Sequence, residues 1–319
     1  MDYGISLPSG GPNATPENLV KLASNAEELG FAYLGVPDHV VYPASVDSPY
    51  PYSNDGSFRG VGSILDQLTL LAYIAAVTST VRLLTSVMVL PHRNAVLSAK
   101  MLASIDVLSG GRLTVGCGVG WMREEFEALE APPFDMRGAV GNEYIAAFKE
   151  LWTSERPSFK GEYVNFSDLV FGPKPTQKPH PPIWIGGESP AALRRAARLG
   201  DGWYPIASNP TYPVATAAQF SDALGRLRSY AEGAGRDPAE IDLAYSVGAI
   251  DTRGERQLAD GARRPFTGTL ARIAEDIGEF GELGVRHIMV GFRGRSPEET
   301  LDGMAQFASD VVPRVQERR

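Results

Sequence analysis

The sequence predicts an α/β protein folded as a (β/α)8 TIM barrel with insertions, and three observations point there. Short apolar runs rich in β-branched residues alternate with amphipathic stretches along nearly the whole chain, the pattern of βαβ units and a parallel sheet. Eight such runs can be counted. Several helical stretches end on glycine just before the next strand, at Leu29-Gly30, Leu199-Gly200 and Leu283-Gly284, so αβ turns are short and βα connections long. A chain of 319 residues fits one such domain, 1–319.

The first strand is read at 3–7, with a helix over 17–29 behind it. The second, 32–37, runs directly into Asp38-His39. The connection 40–64 carries Tyr42, Tyr50, Tyr52 and Phe58 and little charge. Structureless connections of this length are uncommon unless functional, so it reads as a pocket wall or lid. A helix over 65–78 leads to strand three, 81–89, then Pro91-His92-Arg93-Asn94 and a helix over 95–109. Strand four, 113–118, ends in the glycines Gly116, Gly118 and Gly120. An insertion at 155–182 combines a hairpin near 159–166 with a proline-rich stretch. Strand five, 183–186, enters a helix at 190–199 whose first position, Pro190, suits helix initiation. Strands at 202–204, 241–247 and 287–291, the last preceded by a helix over 270–283, complete the set.

The formal net charge of -8 argues against nucleic acid or anionic membrane as a partner. Cys117 is the single cysteine, which rules out an intrachain disulfide and a thiol metal cluster, and no metal is expected. Neither a signal peptide nor a membrane span is legible, so a cytoplasmic enzyme acting on a small molecule is expected. No Walker loop, His-Glu-x-x-His or Ser-His-Asp order supports a hydrolase.

Barrels place their active sites at the C-terminal ends of strands. His39 stands there as the acid–base candidate, with Asp38 beside it to fix its tautomer; a capping Asp and a structural His are the plainer reading. His92 and Arg93 either face the pocket or form a solvated turn. The run Gly118-Val119-Gly120-Trp121 lets backbone approach a ligand or simply turns the chain, and it lacks the spacing of a Rossmann fingerprint. In Gly186-Gly187-Glu188-Ser189, amides at a helix start suit a phosphate, although an ordinary capped helix has the same residues. Arg194, Arg195 and Arg198 read as solvated, Arg293 as a candidate for an anionic group, and His180 and His287 as structural.

These blocks, in this order, resemble the bacterial luciferase-like superfamily, and within it the actinobacterial oxidoreductases that use coenzyme F420. The resemblance spans essentially the whole chain. It rests on Ala26-Glu27-Glu28-Leu29-Gly30-Phe31 leading to Pro37-Asp38-His39, on Leu84-Thr85-Ser86-Val87, and on Leu108-Ser109-Gly110-Gly111-Arg112. Most diagnostic is Gly116-Cys117-Gly118-Val119-Gly120-Trp121-Met122-Arg123-Glu124-Glu125-Phe126. Pro182-Ile183-Trp184-Ile185-Gly186-Gly187 and Ala197-Arg198-Leu199-Gly200-Asp201-Gly202-Trp203 add to it.

The resemblance implies a flavin-type ring resting on a non-prolyl cis peptide at Ser86-Val87, with Asp38 and His39 lining the ring and substrate pocket. It implies that backbone at Gly118, Val119, Gly120 and Trp121, and at Gly186, Gly187, Glu188 and Ser189, holds the ribityl phosphate side. The related sugar-phosphate dehydrogenases carry a catalytic Glu where this chain has Trp121, which speaks against that substrate. Trp121 with Tyr42, Tyr50, Tyr52 and Phe58 points to a hydrophobic or aromatic one. The expectation is hydride transfer with coenzyme F420, His39 moving the proton and Asp38 orienting it. The alternatives are a reduced-FMN-dependent monooxygenase and a non-catalytic flavin-binding protein. Relatives commonly form homodimers across barrel helices.

Overall fold

Strands buried on both faces must close or be covered, and here they close. A computed structural model describes residues 1–58, 60, 62–292, 294 and 296–317. Among these, eight parallel strands form the barrel: β1 (Asp2–Ser6), β2 (Tyr33–Val36), β3 (Arg82–Thr85, resumed at Met88–Val89), β4 (Leu113–Gly118), β5 (Ile183–Gly186), β6 (Gly202–Tyr204), β7 (Asp242–Ala249) and β8 (His287–Gly291). Each pairs with its neighbours in sequence, and β1 pairs with β8 to close the ring. The barrel expected from the sequence is the fold.

Its helices are α1 (Pro16–Glu28), α2 (Gln67–Val77), α3 (Ala95–Leu108), α4 (Arg123–Ala128), α5 (Arg137–Thr153), α6 (Pro190–Leu199), α7 (Ala217–Gly233), α8 (Leu270–Glu282), α9 (Pro297–Gln306) and α10 (Val312–Gln316). Thr15, Ser189 and Thr269 cap α1, α6 and α8 by accepting from an amide three residues on. The helix α8 shows why such segments dock: Ile273, Ala274, Ile277 and Phe280 form one buried stripe. Each large apolar side chain in such a stripe contributes roughly 1.5–3 kcal/mol.

Tyr33, Leu84, Trp184, Tyr204, Ala244 and Met289 form a second apolar cluster, contributed by six different barrel strands. Met289 fits because Gly4 and Gly35 carry no side chain; a Cβ on Gly4 would stand 2.2 Å from Met289 Sδ. One expected strand is not continuous. The run 81–89 breaks at Ser86 and Val87, whose peptide bond is cis, and resumes where Met88 and Val89 pair with Cys117 and Gly118.

The two long connections occupy opposite faces. In the insertion, Phe159–Lys160 and Asn165–Phe166 form the expected hairpin, and the proline-rich part straps the N-terminal face. There Gln177 donates to the buried Asp106 and to the Leu113 carbonyl, and accepts from Arg82. The described residues of the connection 40–64 lie over the C-terminal mouth, where the candidate site is.

Candidate active site

The mouth collects the ends of β2, β3, β4 and β5, and its chemistry centres on His39. The imidazole Nδ1 lies 2.7 Å from Oε2 of Glu125 in the first turn of α4. Glu125 is fully buried, and its Oε1 accepts from the amides of Val40 at 2.7 Å and Val41 at 3.3 Å. Burial alone pushes this carboxyl up, but the His39 hydrogen bond, the nearby His92 ring and the Val40 amide bring it below the usual carboxylate range. Two amide donors and a ring nitrogen around one carboxylate favour its charged form.

Among the described residues Asp38 makes no hydrogen bond to His39. Its two oxygens accept from Arg93 at 2.9 and 3.0 Å, one of them also from the Val89 amide at 2.9 Å, while Arg93 reaches on to Asp66 at 2.6 Å. The physical reason is that the Arg93 guanidinium, with two hydrogen bonds to this buried carboxylate, is the stronger partner for it. Arg93 is held by two carboxylates and is no solvated turn residue. His92 is buried against Phe126, its Nδ1 3.7 Å from Glu125, beyond hydrogen-bond distance, and both ring nitrogens lack a hydrogen-bond partner. Burial lowers its pKa despite that carboxylate.

The glycines after β4 and β5 serve the protein before they serve a ligand. A Cβ on Gly116 would stand 2.1 Å from the Thr85 carbonyl oxygen, and one on Gly118 2.7 Å from Val87 Cγ2. A Cβ on Gly186 would meet Val87 at 3.1 Å, and one on Gly120 would meet Phe126 at 2.7 Å and Val89 at 2.8 Å. The space these glycines leave is thus filled by β3 and α4. Val87 sinks into it at the cis bond, and next to it the Ser86 hydroxyl meets the Tyr204 hydroxyl at 2.9 Å.

At the end of β5, Gly187 has φ +101°, which glycine alone adopts freely, and Ser189 caps α6. The Glu188 side chain turns away from that helix start. It is 1% exposed and accepts from the Ile206 amide and from Asn209 Nδ2, both at 2.7 Å. Burial pushes it up to about 7 in spite of those donors. Arg195 departs from expectation, being buried and bonded to Asn142 and the Gly138 carbonyl. Arg293 lies outside the described residues. His180 bonds the Pro181 carbonyl, and His287 packs on Trp184 at the opposite end of the barrel.

The long connection brings its aromatic rings onto His39. Tyr42 and Phe58 stand 4.9 and 5.6 Å from the imidazole, Trp121 stands 6.3 Å away, and Tyr50 and Phe58 each pack on Trp121 at 5.0 Å. Glu124 holds this wall in place by accepting from the amides of Asp47 and Ser48. Four of the five expected pocket aromatics, Tyr42, Tyr50, Phe58 and Trp121, therefore share one surface with His39, and the fifth, Tyr52, packs on Tyr50 at 5.5 Å. Glu125 is the residue that sequence reasoning missed. Its one trace was its place in a helix opening just past the glycine turn of β4.

The family model for luciferase-like monooxygenases matches residues 1–310. An uncharacterised protein of Mycobacterium tuberculosis is 33% identical over 307 residues, covering 93% of this chain and 95% of that one. An FMNH2-dependent dimethylsulfone monooxygenase of Pseudomonas putida is 29% identical over 338 residues, covering 93% and 87%. Among solved structures, an F420-dependent secondary alcohol dehydrogenase superposes with TM-score 0.76 at 18% identity, covering 99% of both chains.

Proposed function

The chain belongs to the luciferase-like monooxygenase family, and on that premise we propose that it transfers a hydride between coenzyme F420 and a small, uncharged, apolar or aromatic substrate. The carrying observation is the His39–Glu125 pair inside an aromatic wall, because hydride chemistry at a hydroxyl or carbonyl carbon needs a proton moved alongside. The residues suit such a cofactor. Val87 occupies a glycine pit instead of the mouth, and Gly187 turns the backbone ahead of the α6 amides. In this reading the backbone at Ser86 and Val87 and from Gly118 to Trp121 supports the ring, while Gly186 to Ser189 holds the phosphate side through main-chain groups. The bound deazaflavin supplies the hydride site; His39 gives or takes the proton. An anionic substrate is disfavoured at His39, since Glu125 is charged and Arg93 is spent on Asp38 and Asp66.

A second reading is a reduced-FMN-dependent monooxygenase, favoured by the 29% identity to the dimethylsulfone enzyme. Titrating the protein with F420 and with FMN, read by fluorescence, separates the two. Binding of F420 at micromolar concentration is expected; FMN bound tightly with F420 ignored sinks the first reading. Turnover of neutral alcohols and ketones such as 1-phenylethanol and acetophenone then distinguishes either enzyme from a flavin carrier, and His39→Ala is expected to abolish it.

The proposal extends to a cytoplasmic homodimer without nucleic acid or membrane partners. The net charge of -8 and the single buried Cys117 support the first and third points, and no helix among the described residues is long and apolar enough to cross a membrane. The exposed apolar side chains on α2 and α3, Tyr73, Leu97, Val107 and Leu108, support the second.

A further inference from the structure

We propose that Glu125 is the positioning residue of this site, fixing His39 as the Nδ1–H tautomer and so presenting Nε2 to the mouth as a proton acceptor. The inference rests on the proton-transfer reading of His39 and adds to it a second residue and a direction. A carboxylate without solvent contact that takes two backbone amides has its charge stabilised where it stands. An ionised carboxylate accepts and never donates, so at 2.7 Å the proton between it and His39 belongs to Nδ1. The neutral ring then carries its lone pair on Nε2.

That nitrogen makes no hydrogen bond among the described residues, and the His39 side chain keeps 15% of its surface exposed within the ring of Tyr42, Phe58 and Trp121. When Nε2 takes up a proton, the imidazolium forms against a charge already in place, so no group has to reorient to receive it. The other nearby acid, Asp38, is occupied by Arg93 and the Val89 amide. His92, 3.7 Å from Glu125 and favouring its neutral form through burial, does not draw the carboxylate away from His39. One carboxylate also ties Val40 and Val41, the first residues of the aromatic connection, so the same group sets the ring and the start of the wall facing it.

The test begins on ligand-free protein. With 15N-labelled histidine, the His39 resonance identified by its loss in His39→Asn, the neutral ring is expected as Nδ1–H; an Nε2–H ring overturns the proposal. In Glu125→Ala the neutral ring should shift largely to Nε2–H. Turnover of whichever panel substrate reacts should fall in kcat by on the order of 10²–10³-fold, with KM changed less than about threefold. In Glu125→Gln the single amide oxygen is taken by the Val40 and Val41 amides, so the side-chain NH2 faces Nδ1. This variant should also turn to the Nε2–H form and lose kcat to a similar degree, and a glutamine variant that keeps Nδ1–H with near-wild-type kcat refutes the role. A Glu125→Ala protein that keeps its tautomer, or that loses only KM, refutes the role. Should that variant fail to fold by circular dichroism, the wild-type tautomer and Glu125→Gln still decide. If His39→Ala turns over normally while wild-type His39 is Nδ1–H, the proton-transfer reading has failed and the geometry has not.

Discussion

Glu188 shows how one side chain can contradict the job its position suggests. Its main chain opens α6 where an anion would sit, yet its carboxyl is buried toward Ile206 and Asn209. Burial moves it from an ordinary value of 4.5 to about 7. Below pH 4.5 both folded and unfolded chains hold the proton. Between pH 4.5 and 7 the unfolded chain ionises while the folded one stays protonated, so this group's contribution to stability falls across that window and is flat above it. Glu188→Gln keeps one of the two acceptor oxygens and cannot ionise, so any lost hydrogen bond lowers stability equally at every pH. Urea unfolding from pH 4.5 to 8 should therefore show the wild type losing on the order of 2–3 kcal/mol relative to the variant as pH rises. Parallel pH profiles would refute the assignment. The glutamine should also leave any cofactor affinity carried by the neighbouring amides within about threefold, measured by fluorescence titration.

Between elements, the same lesson falls on glycine. The run at 116–120 suggested room for a ligand, but the missing Cβ atoms are met by Thr85, Val87, Val89 and Phe126. Gly116→Ala would put a methyl group against a carbonyl oxygen that belongs to strand backbone and cannot swing away. The expected cost is about 3 kcal/mol or more, seen as a melting temperature lower by several degrees. A variant melting within 1 °C of wild type, taken as roughly the precision of such a scan, would mean β3 yields. Strands were legible because burial on both faces makes each a short apolar run, and His39 because it directly follows one. The Val87 pit was not legible, since what fills a glycine's space comes from another strand. Glu125 is 86 residues from His39, and only chain closure into a barrel brings them together. Asp38 and His39 are adjacent in sequence, yet the Asp38 carboxylate accepts from Arg93, 55 residues away, a pairing that adjacency does not reveal.

For the whole molecule, the outer surface of the barrel is not uniform. The helix α8 turns charged Arg272, Glu279 and Glu282 outward, as a solvated helix does. The helix α2 contains no charged residue at all, and α3 contains only Lys100 and the buried Asp106. Tyr73 on α2 and Leu97, Val107 and Leu108 on α3 are exposed, and these two helices pack side by side. Lys100, the one charge on that surface, donates to the Gly172 carbonyl of the proline-rich strap. An apolar face on adjacent helices suits a two-fold contact with a second copy, because the same patch then covers itself on both sides. Light scattering at micromolar concentration should give twice the 34.3 kDa chain mass. Replacing Tyr73 and Leu97 together by aspartate should return it to the single-chain mass, since two desolvated charges facing their copies across the axis cost several kcal/mol. A wild-type monomer, or a dimer indifferent to both substitutions, would place the interface elsewhere. The mouth lies at the strand ends and these side chains lie on the barrel's flank, so the aspartate variant should keep the Nδ1–H form of His39. Loss of that form on dissociation would instead show that the second copy braces α3 and, through it, the Arg93–Asp38 pair beneath the site.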